Sequence, residues 1–247
     1  MENETKLFGI RAVIEAIDNK QTLDKVWIIK ESKGELMRQL LKLLEKNEIP
    51  FSWVPSEKFI KYQNKNHQGV MAQIAPVSFV SLENLVENTI ENEQQPPLFI
   101  ILDRVSDARN FGAILRTAAC LNVNGIIIPK EGAAGVNADT IKTSAGGVFH
   151  VPICKVDHLK DAFFYLQGSG IHIVAATEKA DELIYDAHLN KPLAIIMGSE
   201  EKGIHPSLLK MVDTKAKLPM IGKISSLNVS VACGAILYEV WRQRNTQ

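Results

Sequence analysis

The stretch LFIILDRVSDARNFGAILRTA, residues 98–118, contains the pattern that decides the fold class. Its first five residues, Leu98–Leu102, are apolar and predict a buried strand, whereas Phe111–Leu121 has the spacing of a helix. The polar loop between them lies where an open α/β sheet binds its ligands. Asn110 and Arg116 lie within two helical turns of each other, so both can serve one site. The alternative interpretation is an ordinary strand–turn–helix unit with arginines on its surface.

A second polar loop follows an apolar strand in the stretch LAIIMGSEEKGI, residues 193–204. Leu193–Met197 predicts another buried strand, and Gly198 and Gly203 allow the following backbone to turn sharply and approach a ligand closely. Glu200 lies between the two glycines. The spacing matches neither the GxGxxG motif nor the Walker motif, so a dinucleotide or nucleoside triphosphate is not indicated. The alternative is a tight turn that holds no ligand.

A third stretch, LPMIGKISSLNVSVA at residues 218–232, leads from a glycine-containing loop into the clearest helix of the chain. Ser226 and Asn228 are residue types that cap helices, which is the simple explanation for both. The same helix start also presents free N–H groups to a ligand. The helix is predicted from apolar residues at helical spacing between Val229 and Trp241.

The order of the predicted elements indicates two α/β parts. Strands and helices alternate in residues 98–247, which predicts a mostly parallel sheet with helices on both faces. Residues 1–76 predict a smaller α/β domain with strands at 25–29, 51–54 and 70–74. Residues 77–97 carry four glutamates and neither lysine nor arginine, and they end in two prolines. We therefore interpret residues 77–97 as a linker that contains a short surface helix at 81–92.

Composition allows RNA as a partner without predicting it. The chain has 28 Lys+Arg and 28 Asp+Glu, so its formal net charge is zero, and nucleic-acid binding would depend on local patches. No apolar run approaches the roughly 20 residues of a membrane span, and no secretion signal is evident, so a cytoplasmic protein is expected. The three cysteines, Cys120, Cys154 and Cys233, are expected to be buried free thiols, and no metal site is expected.

Together, the three stretches resemble the signature motifs of the SPOUT class of methyltransferases, in its SpoU or TrmH-like branch, which methylates ribose 2′-hydroxyls of RNA. The resemblance covers residues 98–247, with all three motifs in order. Residues 1–76 resemble the small domain, similar to ribosomal protein L30e, that precedes the catalytic domain in bacterial 23S ribosomal RNA guanosine 2′-O-methyltransferases. That resemblance depends on FGIRAV at residues 8–13 and HQGV at residues 67–70.

The resemblance implies a catalytic domain with a C-terminal trefoil knot, a homodimer, an RNA substrate, S-adenosyl-L-methionine as cofactor and no metal. Two positions depart from the family pattern: Ala108 stands where proline is common, and Glu201 stands where glycine is common, which leaves the backbone shape of the second loop open. The family's catalytic positions match Asn110, Arg116, Glu200, Ser226 and Asn228, and its cofactor contacts match the loops around Thr177, Gly198, Leu218 and Leu227.

A guanidinium is a poor base, so we interpret Arg116 as a phosphate anchor that also stabilises developing negative charge. The resemblance implies that Glu200 orients an arginine, in its own chain or across the dimer, or the ribose. It further implies that Ser226 and Asn228 hold the loop and the substrate. Alternative functions are a transfer RNA ribose 2′-O-methyltransferase and a non-catalytic RNA-binding protein on the same fold. A nucleotide-dependent oxidoreductase is disfavoured because no glycine fingerprint follows a strand.

Overall fold

The computed structural model describes residues 6–19, 21–30, 32–74, 77–92, 95–224 and 226–246. These residues form two compact units. The first comprises the described residues up to Ser78 together with Val136–Ala138, and the second comprises Phe79–Gly135 and the described residues from Asp139 onward. Within the described part of the chain, no helix is long and apolar enough to cross a membrane.

The first unit is a four-stranded sheet with two α-helices and a 3-10 helix. Its strands lie in the order β1-β4-β2-β3, and β4 runs antiparallel to both of its neighbours. The strands are β1 (Lys6–Phe8), β2 (Leu23–Ile29), β3 (Phe51–Val54) and β4 (Val70–Ile74), and the helices are α1 (Ile10–Asp18), α2 (Glu35–Lys46) and the 3-10 helix Ser56–Tyr62.

Apolar spacing decides which faces of these helices are buried. Met37, Leu40 and Leu44 recur at three- and four-residue intervals along α2, so they lie on one side of the helix and pack into the core against α1 and the sheet. The 3-10 helix contributes Phe59 to a separate small cluster with Val54 and Met71. The sheet therefore has apolar contacts on both faces.

The second unit is an eight-stranded sheet in which every recorded strand pairing is parallel. The strand order is β10-β12-β9-β11-β6-β7-β8-β5, as expected for the predicted α/β class. The strands are β5 (Phe79–Val80), β6 (Leu98–Asp103), β7 (Gly125–Pro129), β8 (Ile153–Val156), β9 (His172–Ala176), β10 (Glu182–Leu183), β11 (Leu193–Gly198) and β12 (Thr214–Lys217).

Helices connect these strands, and the chain ends in the longest of them. The helices are α3 (Leu82–Asn92), α4 (Ala108–Cys120), α5 (Ala138–Ser144), α6 (Leu159–Gly168), α7 (Pro206–Leu209) and α8 (Val229–Asn245), with a 3-10 turn at Gly147–Phe149. The two central strands, β6 and β11, are buried over nearly their whole length. Strands buried on both faces are continuously apolar, which is why these two segments were recognisable from sequence.

Within the predicted linker 77–97, the described residues 79–92 are not unpacked as the sequence suggested. Phe79 and Val80 pair with β8 as an edge strand of the large sheet. The following helix α3 buries Leu82, Leu85 and Val86 in the core of the second unit. The glutamates of α3 lie on its exposed side, opposite an apolar side that is buried. The acidic composition of this segment therefore described only one face of the helix, which is why it was interpreted as a linker.

The cysteine prediction holds for two residues and is wrong for the third. All three thiols are free, but Cys120 is exposed at the end of α4, whereas Cys154 and Cys233 are buried. Burial raises the pKa of both buried thiols to about 12. Cys120 is the last residue of α4, and its side chain faces solvent. The neighbouring alanines at 118 and 119 had indicated a buried position.

Candidate active site

The loops that carry the three sequence motifs meet at the carboxyl edge of the large sheet. Strands β6 and β11 are parallel neighbours, and Gly198 is paired with Asp103, so the first two motifs begin at the same level. The strand order reverses near this point, since β7 and β8 lie beyond β6 on one side and β9 lies beyond β11 on the other. Such a switch point forms a crevice in which open α/β sheets bind ligands.

Three polar side chains, one from each motif, are joined by hydrogen bonds across this crevice. Asn110 Nδ2 donates to Glu200 Oε1 at 3.2 Å. Asn228 Nδ2 donates to Asn110 Oδ1 at 2.9 Å and also to Glu200 Oε1. The backbone N–H of Val229 adds a longer contact to the same carboxylate oxygen, at 3.4 Å. The structure thus brings three of the five predicted catalytic residues together.

The two helix starts fix how these side chains are oriented. Asp107 caps α4 by accepting from the backbone N–H groups of Arg109 and Asn110. Asn228 caps α8, and its Oδ1 accepts from Ser230 N and Oγ and from Val231 N. Because this oxygen faces the helix, the Asn228 amide nitrogen must face Asn110 and Glu200. The capping and functional interpretations of Asn228 are therefore both compatible with its position.

The loop that carries Glu200 is folded tightly on itself. Gly203 N donates to Ser199 O at 2.8 Å, and Gly203 has a φ of +61°, a conformation that favours glycine. A Cβ on Gly198 would lie 2.0 Å from the Gly203 carbonyl carbon, so no side chain fits there. The two glycines of this motif are thus required by the loop's own backbone.

An acid–arginine pair missed in the sequence analysis holds the far end of that loop. Asp103 is buried, and its Oδ2 accepts from His205 N at 2.7 Å. Arg104 Nη2 donates to the same Asp103 oxygen at 3.3 Å and to Gly203 O at 3.1 Å. Arg104 has a φ of +60°, which is strained for a residue with a side chain. An aspartate directly after an apolar strand was the signal that could have identified this pair.

A cavity of about 320 Å³ opens beside the polar network. Its walls come from the loops after β9, β11 and β12 and from the first turns of α8. All four predicted cofactor-contact residues line it, as do two of the predicted catalytic residues. These six lining residues are Thr177, Gly198, Leu218, Leu227, Glu200 and Ser226.

Arg116 belongs neither to the hydrogen-bonded network of Asn110, Glu200 and Asn228 nor to the lining of the cavity. It is exposed on α4, and its side chain makes no hydrogen bond or ion pair with any residue that the structure describes. A Cβ on Gly147 would come within 3.0 Å of the Arg116 Cα, so the 3-10 turn packs closely against this part of α4. Because the Arg116 side chain is exposed and has no partner among the described residues, its guanidinium is available to a ligand or partner. Among the described residues, no group of three or more His, Cys, Asp or Glu side chains could hold a metal ion.

Comparison with known families decides what this arrangement is. Residues 97–238 match the profile of the SpoU rRNA Methylase family. This chain belongs to the SpoU rRNA methylase family. Residues 6–80 of this SpoU-family chain match a second profile, described as RNA 2′-O ribose methyltransferase substrate binding. The family predicted from the three motifs is confirmed, and the first unit corresponds to a substrate-binding domain.

Relatives of this SpoU-family chain extend over its whole length. The Bacillus subtilis protein YacO, assigned to the TrmH family of tRNA/rRNA methyltransferases, is 36% identical over 97% of this chain and 96% of its own. The 23S rRNA (guanosine-2′-O-)-methyltransferase RlmB of Pseudomonas aeruginosa is 34% identical over 99% of this chain and 98% of its own.

Solved structures show the same fold. The SpoU methyltransferase AviRb from Streptomyces viridochromogenes, in complex with the cofactor AdoMet, has a TM-score of 0.63 and 22% identity. That likeness covers 98% of this SpoU-family chain and 91% of AviRb. The A. aeolicus TrmH/SpoU tRNA modifying enzyme has a TM-score of 0.57 and 31% identity over 66% of this chain and 82% of its own. The predicted α/β architecture is therefore confirmed.

Proposed function

We propose that this chain transfers the methyl group of S-adenosylmethionine to a ribose 2′-hydroxyl of RNA, with a guanosine of 23S ribosomal RNA as the target. The observation that carries the proposal is the hydrogen-bonded group of Asn110, Glu200 and Asn228 beside a cavity that Glu200 also lines. The RlmB relatives, similar over their full length, support the choice of substrate.

The residues that line the cavity fit the proposed cofactor, whose sulfonium supplies an activated methyl group. A volume of about 320 Å³ lies at the lower end of the roughly 300–1,000 Å³ that small-molecule sites occupy. Leu218, Leu227 and Ile236 offer apolar surface for a planar base. Thr177 and Ser199, with the backbone of the glycine loop, offer hydrogen-bonding groups for the polar parts. Apolar surface beside polar groups that fix the orientation of the ligand is typical of cofactor sites.

The polar network positions the reactants. Transfer to oxygen needs an in-line approach, and orientation alone can supply a large part of the rate enhancement. Glu200 Oε1 already accepts from two side-chain amides and a backbone N–H, so its role is to hold Asn110 and Asn228 in place. Those amides then present a fixed surface to the ribose. The expectation that Glu200 orients an arginine, in its own chain or across the dimer, or the ribose stays a prediction.

Arg116 binds the RNA phosphate next to the target ribose and stabilises the negative charge that develops on the attacking ribose oxygen. Its guanidinium is exposed, and within the described part of the chain it has no partner that would compete for it. A planar fork of donors suits a phosphate or an oxyanion. Ser226, exposed at the rim of the cavity, contacts the substrate or the cofactor from the opposite loop.

The proposed active form is a homodimer that pairs through α8. Three large side chains on this helix, Val231, Tyr238 and Trp241, are 56%, 58% and 52% exposed. Their spacing of seven and three residues places them on one side of the helix. A second copy of the chain would cover this apolar stripe. The first unit then holds RNA while the second binds cofactor and performs the chemistry.

The proposed C-terminal trefoil knot is supported by the path of the chain. Strand β12 lies near one edge of the sheet, beyond β9, whereas α8 packs on α4 and on the central strand β11. Between them, the segment after β12 returns along the carboxyl edge and shares the cavity with the Gly198–Gly203 loop. A crystal structure traced continuously from β11 to α8 tests the threading, and an unthreaded path would contradict it.

Methylation assayed on RNA that lacks the modification tests the function. The purified protein and radiolabelled S-adenosylmethionine are incubated with RNA from cells in which the gene is deleted. Resistance to alkaline cleavage then locates each 2′-O-methyl group. We expect incorporation at one 23S ribosomal RNA guanosine. Incorporation into transfer RNA would favour the alternative substrate, and cofactor binding without transfer to any RNA would contradict the proposed activity.

A further inference from the structure

Basic residues are concentrated at one end of the first unit's sheet. At this end lie the loops that follow β1, β2 and β3 and the segment that leads into β4; we call residues 9–11, 30–34 and 55–69 the loop end. Its described residues contain six exposed cations; Glu57 is acidic there, Glu35 adjoins it, and the sequence of these ranges also includes Glu31. The six cations are Arg11, Lys30, Lys33, Lys58, Lys61 and Lys65.

The opposite end of the same sheet carries charges of both signs. Asp18, Asp24, Glu45 and Glu48 lie there with the described lysines Lys6, Lys25 and Lys46. A strand of seven residues such as β2 separates the two ends by roughly 20 Å. This exceeds twice the Debye length of roughly 8 Å at physiological salt, so the acidic residues of that end do not neutralise the cations of the loop end. The zero net charge of the chain therefore conceals a local excess of cations.

Two glycines allow the loops of the loop end to approach one another closely. A Cβ on Gly9 would lie 2.9 Å from Asn66 O, and one on Gly69 would lie 2.3 Å from Ser32 Oγ. Both glycines also have positive φ, of 97° and 78°. The loop after β1 and the loop after β2 thus each touch the segment before β4, which brings their cations to the same end of the sheet.

Aromatic rings support part of this basic surface. Lys58 Nζ lies 5.0 Å from the centre of the Trp27 ring, which holds the cation above the sheet. The His67 ring packs on Phe59, and its Nδ1 accepts from Gly69 N at 3.0 Å. An Nδ1 that accepts carries no proton, so the other ring nitrogen is a donor. Lysines and arginines clustered on one face are the electrostatic footprint of nucleic-acid binding.

We propose that the loop end is the surface on which the first unit binds the phosphate backbone of the RNA substrate. This inference rests on the proposed function for the identity of the ligand, and it adds the face and the residues that bind it. Phosphate contacts position RNA without reading its sequence, so the loop end supplies affinity and orientation, and the choice of nucleotide is made elsewhere.

A matched pair of double variants in the full-length protein tests the proposal. Lys33→Gln with Lys65→Gln removes two charges from the loop end. Lys42→Gln with Lys46→Gln removes two from the outer face of α2 and serves as the control. All four lysines are exposed, and none forms a hydrogen bond or ion pair through its side chain with a residue that the structure describes. Binding of a transcribed 23S ribosomal RNA fragment is measured by fluorescence anisotropy over a series of salt concentrations.

The loop-end variant is expected to bind RNA roughly 20- to 60-fold more weakly at 0.1 M salt and to reduce the slope of log affinity against log salt by about 1.5 to 2. The control should stay within a few-fold of the wild type. Equal weakening of both variants, or no change in the loop-end variant, would overturn the proposal while leaving the methyltransferase activity in place. If the wild type bound no RNA, the proposed substrate would be overturned as well.

Discussion

Glu200 and Asn228 are joined by a hydrogen bond from the Asn228 amide nitrogen to Glu200 Oε1, although they belong to loops that follow different strands. The same carboxylate oxygen accepts from Asn110, so a single atom connects all three sequence motifs. The Asn228 side-chain oxygen accepts from backbone N–H groups at the start of α8. The amide nitrogen on the other side of the same group is therefore oriented towards Glu200 and Asn110. The geometry of the site is therefore tied to the cap of the last helix.

The variants Asn228→Asp and Asn228→Ala separate the role of Asn228 as a helix cap from its role in the hydrogen-bonded network. Aspartate caps a helix as well as asparagine does, so Asn228→Asp should change the free energy of unfolding by less than about 1 kcal/mol. It nevertheless sets a carboxylate against Glu200, and we expect at least a tenfold loss of methylation rate. Asn228→Ala loses the cap as well and should cost about 1 kcal/mol of stability. Single-turnover methylation and urea unfolding measure both effects; a wild-type rate for Asn228→Asp would refute the role of the network.

Arg116 is expected to be essential for transfer and dispensable for cofactor binding. Arg116→Ala should nearly abolish methylation while the dissociation constant for S-adenosylmethionine stays close to that of the wild type. Arg116→Lys should rescue little, because an ammonium does not reproduce the planar fork. A surface arginine without a role would change stability by less than about 0.5 kcal/mol and leave turnover unchanged. Single-turnover rates within a few-fold of wild type for Arg116→Ala would remove this residue from the active site.

The Asp103–Arg104 pair is expected to control cofactor affinity through the glycine loop. Arg104→Gly removes the bonds to Gly203 O and to the buried Asp103 carboxylate but relieves the positive φ, so the effects on stability oppose each other while affinity falls. A lost hydrogen bond to a charged group suggests a decrease of roughly tenfold, or about 1.4 kcal/mol. Calorimetric titration with S-adenosylmethionine measures the affinity, and thermal unfolding measures the stability. Unchanged affinity would show that the loop holds its shape without the pair.

The exposed stripe on α8 predicts a dimer that a single charge can disrupt. Tyr238→Lys should produce a monomer in light scattering, because a lysine would have to be buried in the apolar contact. Phe164→Lys is the control, since Phe164 is 67% exposed but lies on α6. The control should keep the dimer mass, and far-ultraviolet circular dichroism should be unchanged in both. A monomeric wild type, or a dimer that survives Tyr238→Lys, would contradict this interface.

Arg244 is expected to be the main polar anchor of the C-terminal helix. Its guanidinium donates to four backbone carbonyls, those of Pro96, Pro97, Leu189 and Lys191, at 2.6–3.3 Å. Arg244→Met keeps much of the side-chain volume but leaves these carbonyls without their donor, and should cost about 2 kcal/mol of unfolding free energy.

The matched control for Arg244 is the same substitution at Arg109. That arginine is exposed in the first turn of α4, where a cation gains nothing from the helix dipole. Arg109→Met should therefore change the free energy of urea unfolding by less than about 0.5 kcal/mol. Equal losses for the two variants would show that the four carbonyl contacts contribute little.

The sequence by itself determined the fold class, the family and the places where polar loops leave the sheet. Continuous apolar runs identified β6 and β11, and helical spacing identified α4 and α8, because these signals depend on residues that are neighbours in the chain. The motif residues Asn110, Glu200 and Asn228 were also identifiable, since glycines and capping residues surround them.

The tertiary structure decided which of these side chains meet. Contacts such as Asn110 to Asn228 join residues that only sheet register brings together, and no local pattern encodes that register. The same holds for the Arg104 bond to Gly203, for α3 as a packed helix of the second unit, and for the outward position of Cys120. The loop end of the first unit is another example, because its six cations are dispersed in sequence and collect at one end only when the strands align. Periodicity shows which face of an element is buried, but only packing shows what that face and its ends touch.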